Sequence, residues 1–491
     1  IDSPNSYLKS RTIGQIFPIY SLTEGVTADK FRDLIQSILY LTSDIKDPLP
    51  KDTLNRLDLL TKKEAFFHIH NPENAKILAK AKRRIVFEEF LLLQLSLLLR
   101  RDLHKKRNSP QLSIELSSNS LVRKFLSILP FSLTNAQTRV LEEIESDIVK
   151  AEPMSRLLQG DVGSGKTVIA IAALLSAVQS GWQGALMAPT EVLATQHYQT
   201  LSKWIPQLEV NVDLLTGSTA KSRRKQIFTD LVNGSTKILV GTHAIFEDKV
   251  IFERLGLVVV DEQHRFGVKQ RNKLLNKGLQ PHLLTMTATP IPRTLALTLH
   301  GDLDVSQLDE LPPGRTPIDT KLITPKEKNY AYELIRTEIN KGHQIYVVLP
   351  LIEESEKLEI SSAIDVHYQL STEVFPDFVV DLLHGKMKSV EKQEVIQNFI
   401  NKKCDILVST TVIEVGVDVP NASVMLIEDS DRFGLAQLHQ LRGRVGRGAS
   451  KSYCLLSYQN KNKISRQRLE VLANSNDGFE ISEIDLRFRG P

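Results

Sequence analysis

Cysteine is close to absent from this chain: Cys404 and Cys454 are the two present in 491 residues. Two thiols cannot build a disulfide framework or a four-cysteine zinc site. The expectation is a pair of buried thiols in a reducing, cytoplasmic setting. Long apolar runs are lacking too. The longest reaches only from Phe90 to Leu99 and is broken by Gln94 and Ser96, whereas a membrane span needs roughly twenty apolar residues. A buried helix is expected there, and no membrane segment. No signal-peptide pattern opens the sequence. Neither sign of charge is in excess, since 62 Lys+Arg against 58 Asp+Glu leave +4. So mild a balance does not argue for nucleic acid by itself; a basic groove on a nearly neutral protein is the form such binding would take. The chain opens at Ile1 without an initiator Met and stops at Pro491 in mid-pattern, as a fragment or a processed start would.

What is there is the composition of a soluble globular protein, 41% apolar and 24% charged, too long for one ordinary core. Residues 1–125 read as mainly helical, with Ala75 to Arg101 a long helix. In it Lys80, Lys82, Arg83 and Arg84 precede the apolar block, and Arg100 and Arg101 close it. A solvated basic face is the simpler reading of these cations and a DNA-contacting face the sharper one. The rhythm then changes. Gly184-Ala-Leu-Met-Ala, Lys237-Ile-Leu-Val, Leu257-Val-Val-Val and His282-Leu-Leu-Thr-Met are apolar runs separated by helical segments, the pattern of a parallel sheet covered on both faces. Leu311-Pro-Pro-Gly-Arg interrupts it, and Gln344-Ile-Tyr-Val-Val-Leu, Cys404-Asp-Ile-Leu-Val and Ser423-Val-Met-Leu-Ile restart it. Two tandem α/β lobes are expected, over 126–311 and 312–460, followed by a polar helical segment over 461–491.

The run Gly160, Asp161, Val162, Gly163, Ser164, Gly165, Lys166, Thr167 fits G-x-x-x-x-G-K-[ST], between the Leu157-Leu158 run and an apolar helix. Glycines let backbone N–H groups wrap phosphates, and the following helix adds its positive dipole end. Lys166 would reach the β/γ-phosphates of ATP and Thr167 would ligate Mg2+. In Leu257-Val-Val-Val-Asp261-Glu262 a strand ends in adjacent carboxylates. Asp261 would hold Mg2+ and Glu262 would polarise the attacking water. The continuation Gln263-His264 resembles the DExH pattern of superfamily 2 helicases, whose fold is a pair of RecA-like lobes. Thr287-Ala288-Thr289 resembles the motif linking hydrolysis to strand contact. Gln440-Leu-Arg-Gly-Arg444-Val-Gly-Arg447 matches Q-x-x-G-R-x-G-R. Arg444 and Arg447 would reach a phosphate held on the opposite lobe, the plain alternative being a basic helix start with solvated arginines. Ala188-Pro-Thr190-Glu191, Thr216-Gly217, Gly241-Thr242-His243, Gly385 and Ser409-Thr410-Thr411 follow strands. Such loops suit phosphate oxygens, and their order resembles that of the helicase motifs along the nucleic-acid path. Gly416 and Asp418 resemble the part of motif V that contacts nucleotide, and Gln137 resembles an adenine-reading glutamine.

Over nearly the whole chain the resemblance is to the RecG-type DNA helicases. It is carried by Phe17-Pro-Ile-Tyr-Ser-Leu-Thr-Glu-Gly25, by Arg84 through Gln94, by Asp261-Glu-Gln-His-Arg-Phe-Gly-Val-Lys-Gln-Arg271 and by Met286-Thr-Ala-Thr-Pro-Ile-Pro-Arg-Thr294. Gly301 through Arg315 adds to it, and Asp477 through Pro491 looks like the start of the family's TRG region. The resemblance implies a monomeric ATP- and Mg2+-dependent motor on branched or duplex DNA, serving fork reversal and branch migration. It adds a single-stranded-DNA-binding protein as a candidate partner, and an oligonucleotide-binding wedge expected ahead of residue 1. The competing readings are a transcription-repair coupling translocase, which Tyr20-Ser-Leu-Thr-Glu-Gly25 argues against, a DExH RNA helicase, and a nucleotide-binding scaffold without turnover. A PriA-type helicase would need a zinc-binding cysteine cluster that two cysteines cannot supply.

Overall fold

The structure is a computed structural model that describes residues 16, 18–21, 25–106, 108–112, 120–262, 266, 268–289, 292, 303–312, 317–350, 356–410, 419–448, 451–459 and 463–489. The chain divides into two compact units, Ile1–Arg100 and Arg101–Pro491.

Helices α1 (Ala28–Ile38), α2 (Lys51–Arg56), α3 (Lys62–His70) and the long α4 (Ala75–Lys105) make up the first unit, which ends within α4. A capping box of Thr61 and Glu64 starts α3. Two expectations for α4 are corrected. Arg84 is on neither a solvated nor a DNA-contacting face: it is 1% exposed and bonds Asp47 at 2.9 Å and Glu88 at 2.7 Å. Lys62 also pairs with Glu88, and Lys80 with Asp58 at 2.9 Å. Phe90 to Leu99 is helical but not buried, since Phe90 is 51% and Leu99 64% exposed. A near-continuous apolar run places side chains all around a 3.6-residue helix, and its own unit can cover only one side.

In the second unit α5 (Leu121–Ile128) and α6 (Asn135–Ile148) precede β1 (Ser155–Gly160) and α7 (Lys166–Gln179). There follow β2 (Gln183–Met187), α8 (Glu191–Trp204), β3 (Val212–Leu215), α9 (Lys221–Val232), β4 (Ile238–Gly241), β5 (Leu255–Val260), α10 (Val268–Leu275), β6 (His282–Thr287) and β7 (Asp304–Leu308). The seven strands pair in parallel in the order β3-β4-β2-β5-β6-β1-β7. Every residue of β5 is buried. Leu257 and Val259 enter the core on one face while Val258 and Val260 enter the core on the other. That double burial is why the strand is apolar throughout rather than alternating. Leu112, Val122 and Phe125 belong to the first of these cores.

The second sheet comes from β8 (Asp319–Ile323), α11 (Lys328–Asn340), β9 (Gln344–Val348), α12 (Glu356–Gln369), β10 (Val380–Leu383), α13 (Ser389–Ile400), β11 (Ile406–Ser409), β12 (Ala422–Ile427), α14 (Leu435–Arg442) and β13 (Tyr453–Ser457). Its six strands are also parallel, in the order β10-β11-β9-β12-β13-β8. Helices α15 (Lys463–Asn474) and α16 (Gly478–Arg489) close the chain. Two parallel-sheet lobes, a helical region before them and a short helical segment after them are the architecture expected from the sequence. Cys404 and Cys454 are buried and unbridged, and burial pushes both thiols up to about 12. No described helix is long and apolar enough to cross a membrane.

Candidate nucleotide site

Parallel strands end on one edge of their sheet, and that edge gathers the first lobe's candidates. The register sets Gln159 beside Thr287 and Val260 beside Thr285, so the loop after Gly160, the carboxylates after Val260 and the turn after Thr287 emerge together. Gly163 and Gly165 have φ of 81° and 89°, a region that favours glycine. At Gly165 a Cβ would also come within 2.2 Å of Gln137 Nε2. Lys166, at the start of α7, donates from Nζ to the carbonyls of Gly160 and Asp161 at 2.6 and 2.8 Å. Burial pushes its ammonium down to about 8, against the pull of the nearby Glu262, Asp261 and Asp161 charges.

Asp261 accepts from its neighbour's backbone, Glu262 N, at 3.0 Å and pairs with His197 Nε2 of α8 at 2.8 Å. Burial disfavours its charge, but the bond and charge of His197, with Lys166, hold the carboxyl below its ordinary range. Glu262 goes the other way, raised by burial and by the Asp261 charge. Its φ of 50° is in the left-handed region, uncommon for a residue with a Cβ and a recurrent feature of functional turns. Ala288 N lies 3.4 Å from its carboxylate, and Thr287 and Thr289 join hydroxyls at 2.7 Å.

From the second lobe come Arg444 and Arg447, just past α14. A cleft of about 490 Å3 is lined by Val162, Gly163, Gly165, Lys166, Thr167, Asp261 and Glu262 on one side and by Arg444, Arg447 and Pro420 on the other. Gly160, Asp161 and Ser164 are not among its lining. Gln137 is 1% exposed and committed to the protein: its Oε1 accepts from Thr134 N at 3.0 Å, capping α6, and its Nε2 donates to Ser164 O at 2.9 Å. Gly416 and Asp418 lie outside the described residues, as do Thr411, Gln263 and His264.

The described residues of the loops expected along a nucleic-acid path sit at strand ends. Thr190 caps α8 through Leu193 N, and Glu191 accepts from Ser218 N and Oγ at 3.1 and 2.9 Å, tying the turn after β2 to the turn after β3. Ser409 is fully buried with its hydroxyl turned onto Thr410 O. Lys392 Nζ donates to Gly385 O at 2.5 Å. Three residues that hold the site were not legible as site residues: His197, His439 and Arg442. His439 Nε2 meets Asp161 at 2.8 Å and Arg442 meets His439 Nδ1 at 2.9 Å. Nothing local marks them, because each partner is distant in the chain or, for Arg442, hidden in a motif whose other arginines draw the eye.

A DEAD/DEAH box helicase family model matches residues 134–298, and a helicase conserved C-terminal domain model matches residues 326–449. The chain is 54% identical over 491 residues to the ATP-dependent DNA helicase RecG of Synechocystis sp., covering 100% of this chain and 59% of that relative. It is 48% identical over 477 residues to the RecG of Bacillus subtilis, covering 97% of this chain and 70% of the relative. A solved structure of RecG bound to a three-way DNA junction superposes with a TM-score of 0.82 at 42% identity, covering 100% of this chain and 64% of that one. The helicase MrfA bound to DNA matches with a TM-score of 0.57 at 17% identity, covering 77% and 58%, a likeness of fold alone. The chain thus spans 59% of the length of one of these curated relatives and 70% of the other.

Proposed function

Because the chain belongs to the RecG family of ATP-dependent DNA helicases, we propose that it is an ATP-driven motor that remodels branched or duplex DNA in recombination and repair. One observation carries the reading: groups of the kinds that bind, activate and stabilise a transferring phosphoryl group converge on one cleft from two separate sheets. ATP binds there, with 126–311 as the ATP-binding lobe and 312–460 as the lobe that completes it. The P-loop amides and Lys166 take the phosphates.

Thr167 and Asp261 offer oxygen donors at the cleft and leave most of a coordination sphere to phosphates and water, which suits Mg2+. The ion would neutralise charge between the β- and γ-phosphates. The opposed shifts of the two neighbouring carboxyls divide their labour. Asp261 stays ionised, as a metal ligand must, while Glu262, raised, is the better proton acceptor for the attacking water. Arg444 and Arg447 supply positive charge to the transition state from across the cleft. The adenine-reading role of Gln137 and the nucleotide contacts of Gly416 and Asp418 are inherited from the family pattern. So are the DNA-facing roles of the strand-end loops, the monomeric state, the cytoplasmic location and a single-stranded-DNA-binding protein as partner.

The test is steady-state ATP hydrolysis with no polymer, with duplex or branched DNA, and with RNA, at matched salt. DNA-stimulated turnover is the expected result. Stimulation by RNA alone would assign the motor to RNA, and absence of hydrolysis under every condition would leave a scaffold.

A further inference from the structure

Asp161, the second residue of the P-loop, turns its carboxylate away from the cleft and out of the first lobe. It accepts from His439 Nε2 at 2.8 Å and, more weakly, from Gly478 N at the start of α16 at 3.4 Å. A third group fixes the direction of the histidine bond. Arg442 Nη2 lies 2.9 Å from His439 Nδ1, and a guanidinium can only donate. Nδ1 therefore accepts, and the hydrogen on Nε2 goes to Asp161. Arg442 is anchored in turn: its Nη1 donates to the carbonyls of Leu472 and Ser475 at 2.6 and 2.8 Å, at the end of α15 where carbonyls lack helical partners. The chain of bonds runs from the closing helices, through two buried side chains of the second lobe, into the nucleotide loop of the first.

An apolar contact lies alongside. A Cβ on Gly443 would come within 2.8 Å of Val162 Cβ, so the second lobe's backbone approaches the P-loop as nearly as a glycine allows. Gly443 is also bonded to both sides of the arrangement. Its N–H donates to His439 O at 3.0 Å, and its carbonyl accepts from Arg447 Nε at 3.4 Å. Asp161 for its part offers its own carbonyl to Lys166 Nζ.

We infer that His439 is a positioning residue for turnover: by clasping Asp161 it registers the second lobe's arginine pair against the P-loop. The inference rests on the proposed ATP site. Arg444 directly follows the docked Gly443, and Arg447 is hydrogen-bonded to it, so displacement of the end of α14 along the P-loop is passed to both guanidinium groups. A misplacement of about 1 Å in a reacting geometry costs on the order of 10^2 in rate. Ground-state affinity for nucleotide depends on the P-loop amides and Lys166 instead. The signature of this role is thus a split between turnover and binding.

Two substitutions in the full chain read it. His439→Leu fills similar volume with neither ring bond. His439→Gln keeps an acceptor for Arg442 and a donor for Asp161. Nucleotide affinity is followed with a fluorescent ATP analogue, kcat and KM by DNA-stimulated hydrolysis, and folding by melting in parallel. The leucine variant is expected to lose kcat by on the order of 10^2 with affinity close to the parent, and the glutamine variant to recover most of it. Should the leucine variant fail to fold, His439→Asn takes its place, since that shorter amide reaches Arg442 but falls short of Asp161. Parental kcat in the leucine or asparagine variant overturns the inference, and so does a loss that glutamine does not restore. A parent chain that hydrolyses no ATP overturns the site itself, which is a separate outcome from any behaviour of the variants.

Discussion

If ATP occupies the cleft as proposed, two arginines that enter it from the lobe opposite the P-loop have little to do while nucleotide is merely held, and much to do once charge moves in the reaction. Arg447→Ala should therefore leave nucleotide affinity largely intact and cut turnover by roughly 10^3 or more, the scale at which arginine fingers act in GTPases. Lys166→Ala should weaken both, because one ammonium serves ground and transition states alike; equilibrium binding beside steady-state kinetics separates the two patterns. Unchanged kcat in the Arg447 variant would remove the second lobe from the chemistry. The carboxylate pair makes a second prediction. Glu262→Gln keeps shape and loses the proton acceptor, so it should bind Mg2+-ATP and hydrolyse it slowly, whereas Asp261→Ala should lose metal-dependent affinity. Equal losses of affinity in both variants, by titration with and without Mg2+, would sink the division of roles. That these residues line one cleft was legible because each motif is contiguous. His197 was not, since its meaning comes from Asp261, far along the chain and brought to 2.8 Å only by the sheet. Gln137 shows the converse. The short L-T-x-x-Q pattern singles out Gln137, but its amide is engaged by Thr134 and Ser164, which sequence could not reveal.

Among elements, the buried strands announced themselves and the edges did not. β2, β4, β5 and β6 are wholly buried and read as apolar runs. β7 and β8 lie at sheet edges, and Asp304-Val-Ser-Gln-Leu308 and Asp319-Thr-Lys-Leu-Ile323 mix polar with apolar residues because only part of each strand faces a core. Helix α4 was legible as a helix and misread as to its surroundings. Its cation Arg84 is interior to the first unit, bridging Asp47 and Glu88. Burial resists ionisation of both carboxyls. For Asp47 the Leu49 and Lys62 amides and Arg84 outweigh it, and for Glu88 Lys62 and Arg84 do, so both titrate below their ordinary range. Arg84→Leu removes one partner of a buried ionic group and should destabilise the first unit by about 3 kcal/mol at neutral pH. The sign with pH follows from the depressed values. Between the folded and the ordinary carboxyl pKa the unfolded chain binds more protons, so this stabilisation is full above about pH 5 and is lost as the pH falls through the folded values. Denaturant melts of parent and variant should therefore differ at pH 7 and converge in acid; a gap that does not narrow in acid would mean that Arg84 acts through packing alone.

At the scale of the molecule, the question is what a polypeptide of these 491 residues can tell apart. If the strand-end loops of both lobes face DNA as proposed, their contacts fall on phosphates, and contacts of that type fix a protein without reading sequence. Net charge is only +4, so the grip should be weak and strongly dependent on salt, with log affinity falling by about 0.9 per neutralised phosphate for each unit of log salt. Phosphate contacts carry no information about branching either. If they supply most of the grip, a three-way junction and a linear duplex of equal length should titrate with nearly the same affinity and the same salt slope. The measurement is a salt titration of both DNAs by fluorescence anisotropy, with unwinding scored on the same samples. Strong junction preference together with efficient unwinding would place the branch-reading element within residues 1–491. The surface to substitute first would then be α4, where Lys82 and Arg83 stand exposed one turn ahead of uncovered Val86 and two turns ahead of uncovered Phe90, cations and apolar side chains arranged as a wedge against unstacked bases would need them.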